Sequence, residues 1–115
     1  MIIEKNGLYI AVLYNEPMVK PEEVYQALCK VMDPELHVDI VSLGLIYDVK
    51  VSARKIKVIM TLTTPGCPLA PVIDKLVRGA IKPLGEYEVE LELVWEPAWT
   101  KEMMSEEAKL QLNMV

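Results

Sequence analysis

Phenylalanine is absent from this 115-residue chain, histidine occurs once, and cysteine occurs twice. Each scarcity removes an option. A lone histidine, His37, cannot build a common zinc shell, which draws on several nitrogen or sulfur ligands. It also leaves a cysteine nucleophile without its usual imidazole base. Cys29 and Cys67 do not make a disulfide framework, so a reduced, cytoplasmic protein is expected. No basic run occurs anywhere and the formal net charge is −5. That argues against nucleic acid and against an anionic membrane surface as partners. No apolar stretch approaches the length of a transmembrane helix. The opening Met1-Ile2-Ile3-Glu4-Lys5 lacks the charged-then-apolar order of a signal peptide. No internal repeat or low-complexity segment is visible.

What is present suits a single globular domain: 52% of residues are hydrophobic and 25% are charged, enough for a modest core. Residues 1–16 read as an N-terminal extension. Asn6-Gly7 is a turn dipeptide, and the apolar run Leu8–Tyr14 reads as an edge strand or one arm of a hairpin. Such an edge also offers a second subunit something to pair with, which leaves a homodimer open. Pro21, Glu22 and Glu23 mark a helix start. Val24, Ala27, Leu28 and Val31 follow at helical spacing, and Asp33-Pro34 is expected to end the helix. Cys29 lies off the centre of the stripe. Asp33-Pro34-Glu35-Leu36-His37-Val38-Asp39 is an acidic loop whose simplest role is turn formation and capping.

Two strands come next. Leu45, Tyr47, Val49 and Val51 alternate with Ile46, Asp48 and Lys50, and Ile56, Val58, Met60 and Leu62 alternate with Lys57, Ile59, Thr61 and Thr63. Gly44 marks a bulge or a close approach where the first of them begins. The short connection at 53–55 predicts an antiparallel pair. Leu69, Val72, Ile73, Leu76, Val77 and Ala80 then predict a second helix. Tyr87, Val89, Leu91 and Leu93 alternate with glutamates 86, 88, 90 and 92, giving a strand with one acidic face. A strand–helix–strand unit makes its strands parallel. Ser105, Glu106 and Glu107 start a short last helix. The expected fold is α+β in two layers, with a mixed sheet of three to four strands, two main helices on one face and a short C-terminal helix.

The strand-to-helix turn Thr61-Leu62-Thr63-Thr64-Pro65-Gly66-Cys67-Pro68-Leu69 is the stretch around which the rest is arranged. Gly66 permits a sharp turn, and Pro68 and Pro71 suit a first helical turn. A thiol at a helix start has a lowered pKa and a larger thiolate fraction. Thiolate is the form that attacks electrophiles and binds soft metals. Cys67 is therefore the candidate functional thiol, set against the alternative of a small packing residue. Val94-Trp95-Glu96-Pro97-Ala98-Trp99 adds two tryptophans in five residues, read either as a packed flap or as a platform for a partner.

These segments, in this order, closely resemble the small domain shared by the iron–sulfur assembly factor SufT and the phenylacetate-degradation protein PaaD. The resemblance covers about residues 20–112, so the assembly domain is taken as 17–115. It implies a non-enzymatic accessory role in iron–sulfur cluster assembly or transfer, exercised through assembly proteins or apo client proteins. A transient cluster or iron would be held through Cys67, with nothing tightly bound. Carried over residue by residue, it makes Cys67 the functional thiol, flanked by Thr63, Thr64 and Gly66 and supported by Asp33, Glu35 and, more weakly, Asp39. Trp95 and Trp99 are the candidate partner contacts. Three alternatives stand beside this. One is an adaptor in which Cys67 is structural, another an accessory subunit of a multi-component oxygenase. The third is a thiol-dependent enzyme, disfavoured because its base is missing.

Overall fold

The structure, a computed structural model, describes residues 2–4, 9–11, 19–64 and 68–113. Strands β1 (Ile2–Glu4) and β2 (Tyr9–Ala11) pair antiparallel as a two-stranded sheet of their own. The remainder of the N-terminal segment lies outside the described residues.

Helix α1 (Pro21–Leu28) follows an extended Lys20, whose N–H donates to Glu23 Oε1 at 2.8 Å. That bond satisfies a donor at the helix start. Val24, Ala27 and Leu28 are buried. The helix ends at Leu28, earlier than the Asp33-Pro34 boundary expected from the stripe. Lys30 and Val31 donate to Ala27 O and Leu28 O, a last turn tightened to i−3 bonds. Met32 then leaves as extended chain and bridges to Asp39. Val31 keeps its place in the core, buried to 3% exposure, without being helical.

Strands β3 (Ile46–Val51), β4 (Lys55–Met60) and β5 (Glu88–Leu93) form the main sheet in that order. β3 and β4 are antiparallel, joined by a turn in which Ser52 N donates to Lys55 O at 2.8 Å. β4 and β5 are parallel, Met60 lying beside Leu93 and Ile56 beside Val89. The expected mixed sheet forms, with three strands among the described residues. One detail departs from strict alternation: Ile46 pairs with Met60 but Asp48 with Ile59, so Tyr47 is an extra residue, a β-bulge.

Helix α2 (Ala70–Ile81) crosses from β4 to β5 with Pro71 in its first turn. It buries Ile73, Val77 and Ile81, while Val72 and Leu76 stay exposed at 45% and 41%. The apolar stripe is therefore wider than the buried face. The line i, i+4, i+8 from Ile73 meets Leu28, Ile56, Val58 and Met60 in one core, and the neighbouring line faces outward. On the glutamate side of the sheet, Lys55 Nζ is 2.6 Å from Glu90 and Lys57 Nζ is 3.0 Å from Glu92. The acidic row of β5 is thus matched by a lysine row on β4.

After β5 the chain returns over the start of β3. Ser105 N donates to Ser42 O at 2.8 Å, and Met104 and Ala108 enter the core. Helix α3 (Glu106–Gln111) is capped by Ser105, whose Oγ accepts from Ala108 N at 3.1 Å.

Candidate functional site

The topology gathers the start of β3, the ends of β4 and β5 and the start of α2 at one edge of the sheet. β4 and β5 end side by side, and Val94 N donates to Met60 O just beyond them at 2.9 Å. β3 begins there too, because it runs the other way, and Thr61 N donates to Leu45 O at 2.9 Å. α2 starts from the same edge after the turn. Open α/β sheets place their ligand sites at the carboxyl ends of parallel strands. Pro65, Gly66 and Cys67 lie outside the described residues. Their flanks are exposed at Thr64 and Pro68 and half-buried at Thr63 and Leu69.

The acidic loop is organised inward. Asp33 is only 6% exposed, and its Oδ1 accepts from Glu35 N at 2.8 Å and Leu36 N at 2.9 Å. His37 N donates to Asp33 O, closing the turn, and His37 itself is exposed with φ of 59°. Asp39 Oδ2 accepts from Ser42 N at 2.9 Å, holding the approach to Gly44. Both aspartates therefore spend an oxygen on their own loop, while Glu35 is exposed. Among the described residues, no group of three or more His, Cys, Asp or Glu could hold a metal ion.

Cys29, at the C-terminal end of α1, is exposed and free. Partial desolvation, then the charge of Asp39 and a hydrogen bond to it, push its thiol pKa up. A raised pKa lowers its thiolate fraction relative to a free cysteine.

The tryptophan loop closes the edge. Trp99 is half-buried and its Nε1 donates to Leu43 O at 2.7 Å, while Trp95 is 39% exposed. Gly44 adopts φ of 80°, and a Cβ there would lie 2.8 Å from both the carbonyl carbon and Cβ of Met103. Only glycine lets this strap approach so closely. The Tyr47 hydroxyl donates to Pro97 O at 2.7 Å and lies 3.6 Å from Met103 Sδ. Burial, then the Glu96 carboxylate, raise the Tyr47 phenol pKa, and a hydrogen bond with the Thr61 side chain opposes them. Thr61 is fully buried. Neither Tyr47 nor Thr61 stood out as a site residue in the sequence. The bulge that aims Tyr47 at Pro97 has no local signature, since Leu45, Tyr47 and Val49 read as plain alternation.

A family model described as iron–sulfur cluster assembly protein matches residues 21–91. The chain is 46% identical over 95 residues to the Fe-S protein maturation auxiliary factor YitW of Bacillus subtilis, covering 81% of this chain and 93% of that one. It is 44% identical over 86 residues to the Fe-S protein maturation auxiliary factor SufT of Staphylococcus aureus, covering 73% and 98%. An iron-sulfur cluster carrier protein of Deinococcus radiodurans shares 45% identity over 60 residues, 52% of this chain but 17% of that longer protein. The crystal structure of a domain of unknown function from Bacillus anthracis superposes with a TM-score of 0.78 at 41% identity, covering 83% of this chain and 92% of that one. The chain belongs to the family of iron–sulfur cluster assembly proteins, and within it to the SufT-like branch.

Proposed function

We propose that this protein serves the maturation of iron–sulfur proteins, presenting Cys67 to a cluster, to iron or to the cluster site of an apo client. The observation that carries the reading is the family match across residues 21–91, which spans both the acidic loop and the thiol turn. Beside it, burial and Asp39 push the Cys29 thiol pKa up, which lowers its thiolate fraction relative to a free cysteine.

Ligand arithmetic sets the mode of action. A cluster ordinarily takes four protein ligands, mostly cysteine thiolates, and the chain has two cysteines. Cargo held through Cys67 must then share its remaining ligands with a second copy, an assembly protein or the client itself. Incomplete ligation is what release to a client requires. Thr63 and Thr64, beside the thiol in sequence, supply hydroxyls that can hydrogen-bond sulfur and tune it. The partner surface of this reading is the same sheet edge, where Trp95 is exposed next to the end of β4 and Val72 and Leu76 stand on the outer side of α2. Relatives named auxiliary factors or carriers accord with a role that changes no substrate covalently.

The test is the activity of iron–sulfur enzymes in cells lacking this protein, restored with wild type, Cys67→Ser or Cys29→Ser at equal expression. Restoration by wild type and Cys29→Ser but not by Cys67→Ser is expected. Full restoration by Cys67→Ser would leave the adaptor reading, in which Trp95→Ala becomes the damaging change.

A further inference from the structure

We propose that the outer face of helix α2 docks an acidic amphipathic helix of a partner protein. The partner would seat in a notch at Gly79, between the apolar residues Val72, Leu76 and Pro83 and the lysines Lys75 and Lys82. The inference deepens the maturation reading above by naming the chemistry of the partner, and it rests on that reading for its cellular readout.

Helical spacing puts residues 72, 76, 79 and 83 along one line of α2 and the 3-10 turn Lys82–Leu84 that continues it. All four are exposed. Val72 and Leu76 are neighbours on that line, one turn apart. Gly79 extends it, and a glycine inside a helix lowers stability relative to alanine. The fold draws no benefit from this one. Its backbone is helical, and a Cβ built on it meets nothing within 4 Å. Gly44 and Gly85 differ, since each has a positive φ that gives it a local reason. The room at Gly79 therefore opens outward. A missing side chain lets another backbone come close, and a second helix fits because its side-chain ridges repeat at the same i, i+4 spacing as Val72 and Leu76.

Charge selects the occupant. The whole chain carries −5, yet over residues 70–84 Lys75, Arg78 and Lys82 face a single carboxylate, Asp74. Arg78 takes that carboxylate at 3.0 Å. Lys75 and Lys82 are exposed and enter none of the ion pairs among the described residues. They lie two turns apart, on the side of Gly79 away from Leu76. The notch thus has one apolar margin and one basic margin. A helix with an apolar line bordered by Asp or Glu complements both. A second copy would bring lysines against lysines, a like-charge contact. Val72 lies in the first turn of α2, so the docked helix would reach the sheet edge described above.

The test uses the full chain. Gly79→Leu fills the notch, and Lys75→Glu with Lys82→Glu reverses its basic margin. Urea unfolding of the isolated protein should show Gly79→Leu more stable than wild type, because it replaces a glycine inside a helix. In cells lacking the protein, restoration of iron–sulfur enzyme activity should nevertheless fall several-fold with Gly79→Leu and with the double lysine variant, at equal expression. Stability and activity moving in opposite directions is what lost docking predicts and a folding defect does not. A second readout is independent of maturation. Benzoylphenylalanine placed at Leu76, with exposed Ala53 in the β3–β4 turn as control, is photolysed in cells, and the captured peptide is sequenced by mass spectrometry. The proposal expects a helix-patterned peptide from Leu76, with Asp and Glu bordering an apolar line, at a yield cut several-fold by Gly79→Leu and absent from Ala53. Full activity of Gly79→Leu in cells that wild type restores would overturn the docking and leave the thiol reading standing. Failure of wild type itself overturns the maturation reading, and the cross-link then decides the surface. Capture of a second copy at Leu76, of a peptide without acidic residues, or of nothing would overturn the proposal.

Discussion

Asp33, Gly44 and Cys29 show how single side chains set the terms of the site. Asp33 lies in the acidic loop, but its buried Oδ1 serves the amides of Glu35 and Leu36, as a capping residue does. Asp33→Ala is expected to cost about 1 kcal/mol, within the range for lost caps, and Asp33→Asn less, because an acceptor oxygen remains. Urea midpoints check both; equal losses would mean the charge, not the acceptor, is what matters. Gly44→Ala should be worse, since positive φ and the overlap with Met103 act together. About 2 kcal/mol or more is expected from overpacking and backbone strain combined. At Cys29 the thiol pKa is raised, so the thiolate fraction at neutral pH is below that of a free cysteine. Cys29 is expected to alkylate more slowly than glutathione at pH 7 and to approach it as pH rises through the alkaline range. A faster rate would contradict the burial and the Asp39 contact that raise it. The sequence made Cys29 look incidental. Its link to Asp39 depends on a ten-residue return of the chain that no local pattern reveals.

At the scale of elements, helix α2 and the sheet were legible because their apolar periods are long and unbroken. The Ile73–Val77–Ile81 line and the strand pairings follow directly from them. What the period could not resolve is which edge of a wide stripe is covered. Val72 and Leu76 share the helical pattern yet stand exposed, because only packing against β4 and α1 decides the rotation. Ile81→Ala should therefore cost about 2–5 kcal/mol, and Leu76→Ala no more than about 0.5 kcal/mol. Comparable losses would place Leu76 inside a contact. The end of α1 was read too late for a related reason: Val31 keeps the apolar spacing while the backbone has already tightened and left the helix. Across β4 and β5, Lys55 lowers the pKa of Glu90 through a direct hydrogen bond, and Glu90 raises that of Lys55. The glutamate's contribution is complete above the ordinary carboxylate range and fades as pH falls through its depressed value. The lysine's is complete below the ordinary ammonium range and fades as pH rises through its raised value. Stability measured in Glu90→Gln should thus differ least from wild type in strong acid, and the difference at neutral pH should shrink with added salt, since both groups are exposed.

At the scale of the whole molecule, the fold assembles one edge, the candidate site, out of segments far apart in sequence. The start of β3, the ends of β4 and β5, the start of α2 and the C-terminal strap all meet there. The tryptophan loop was legible from its composition, because proline and tryptophan are each costly to place without a reason, while Pro65, Gly66 and Cys67 of the thiol turn lie outside the described residues. The hydrogen bond from Tyr47 to Pro97 was not legible, because ordinary residue types acquire such contacts only through tertiary packing. The central claim is that this edge handles iron–sulfur cargo through Cys67. Anaerobic reconstitution with iron and sulfide tests it most directly, with wild type and Cys67→Ser compared by visible absorption and by iron content per chain. The account predicts sulfur-to-iron absorption in wild type, at a ratio showing ligands shared between chains, and its loss in Cys67→Ser. Equal cluster content in the two proteins would contradict it.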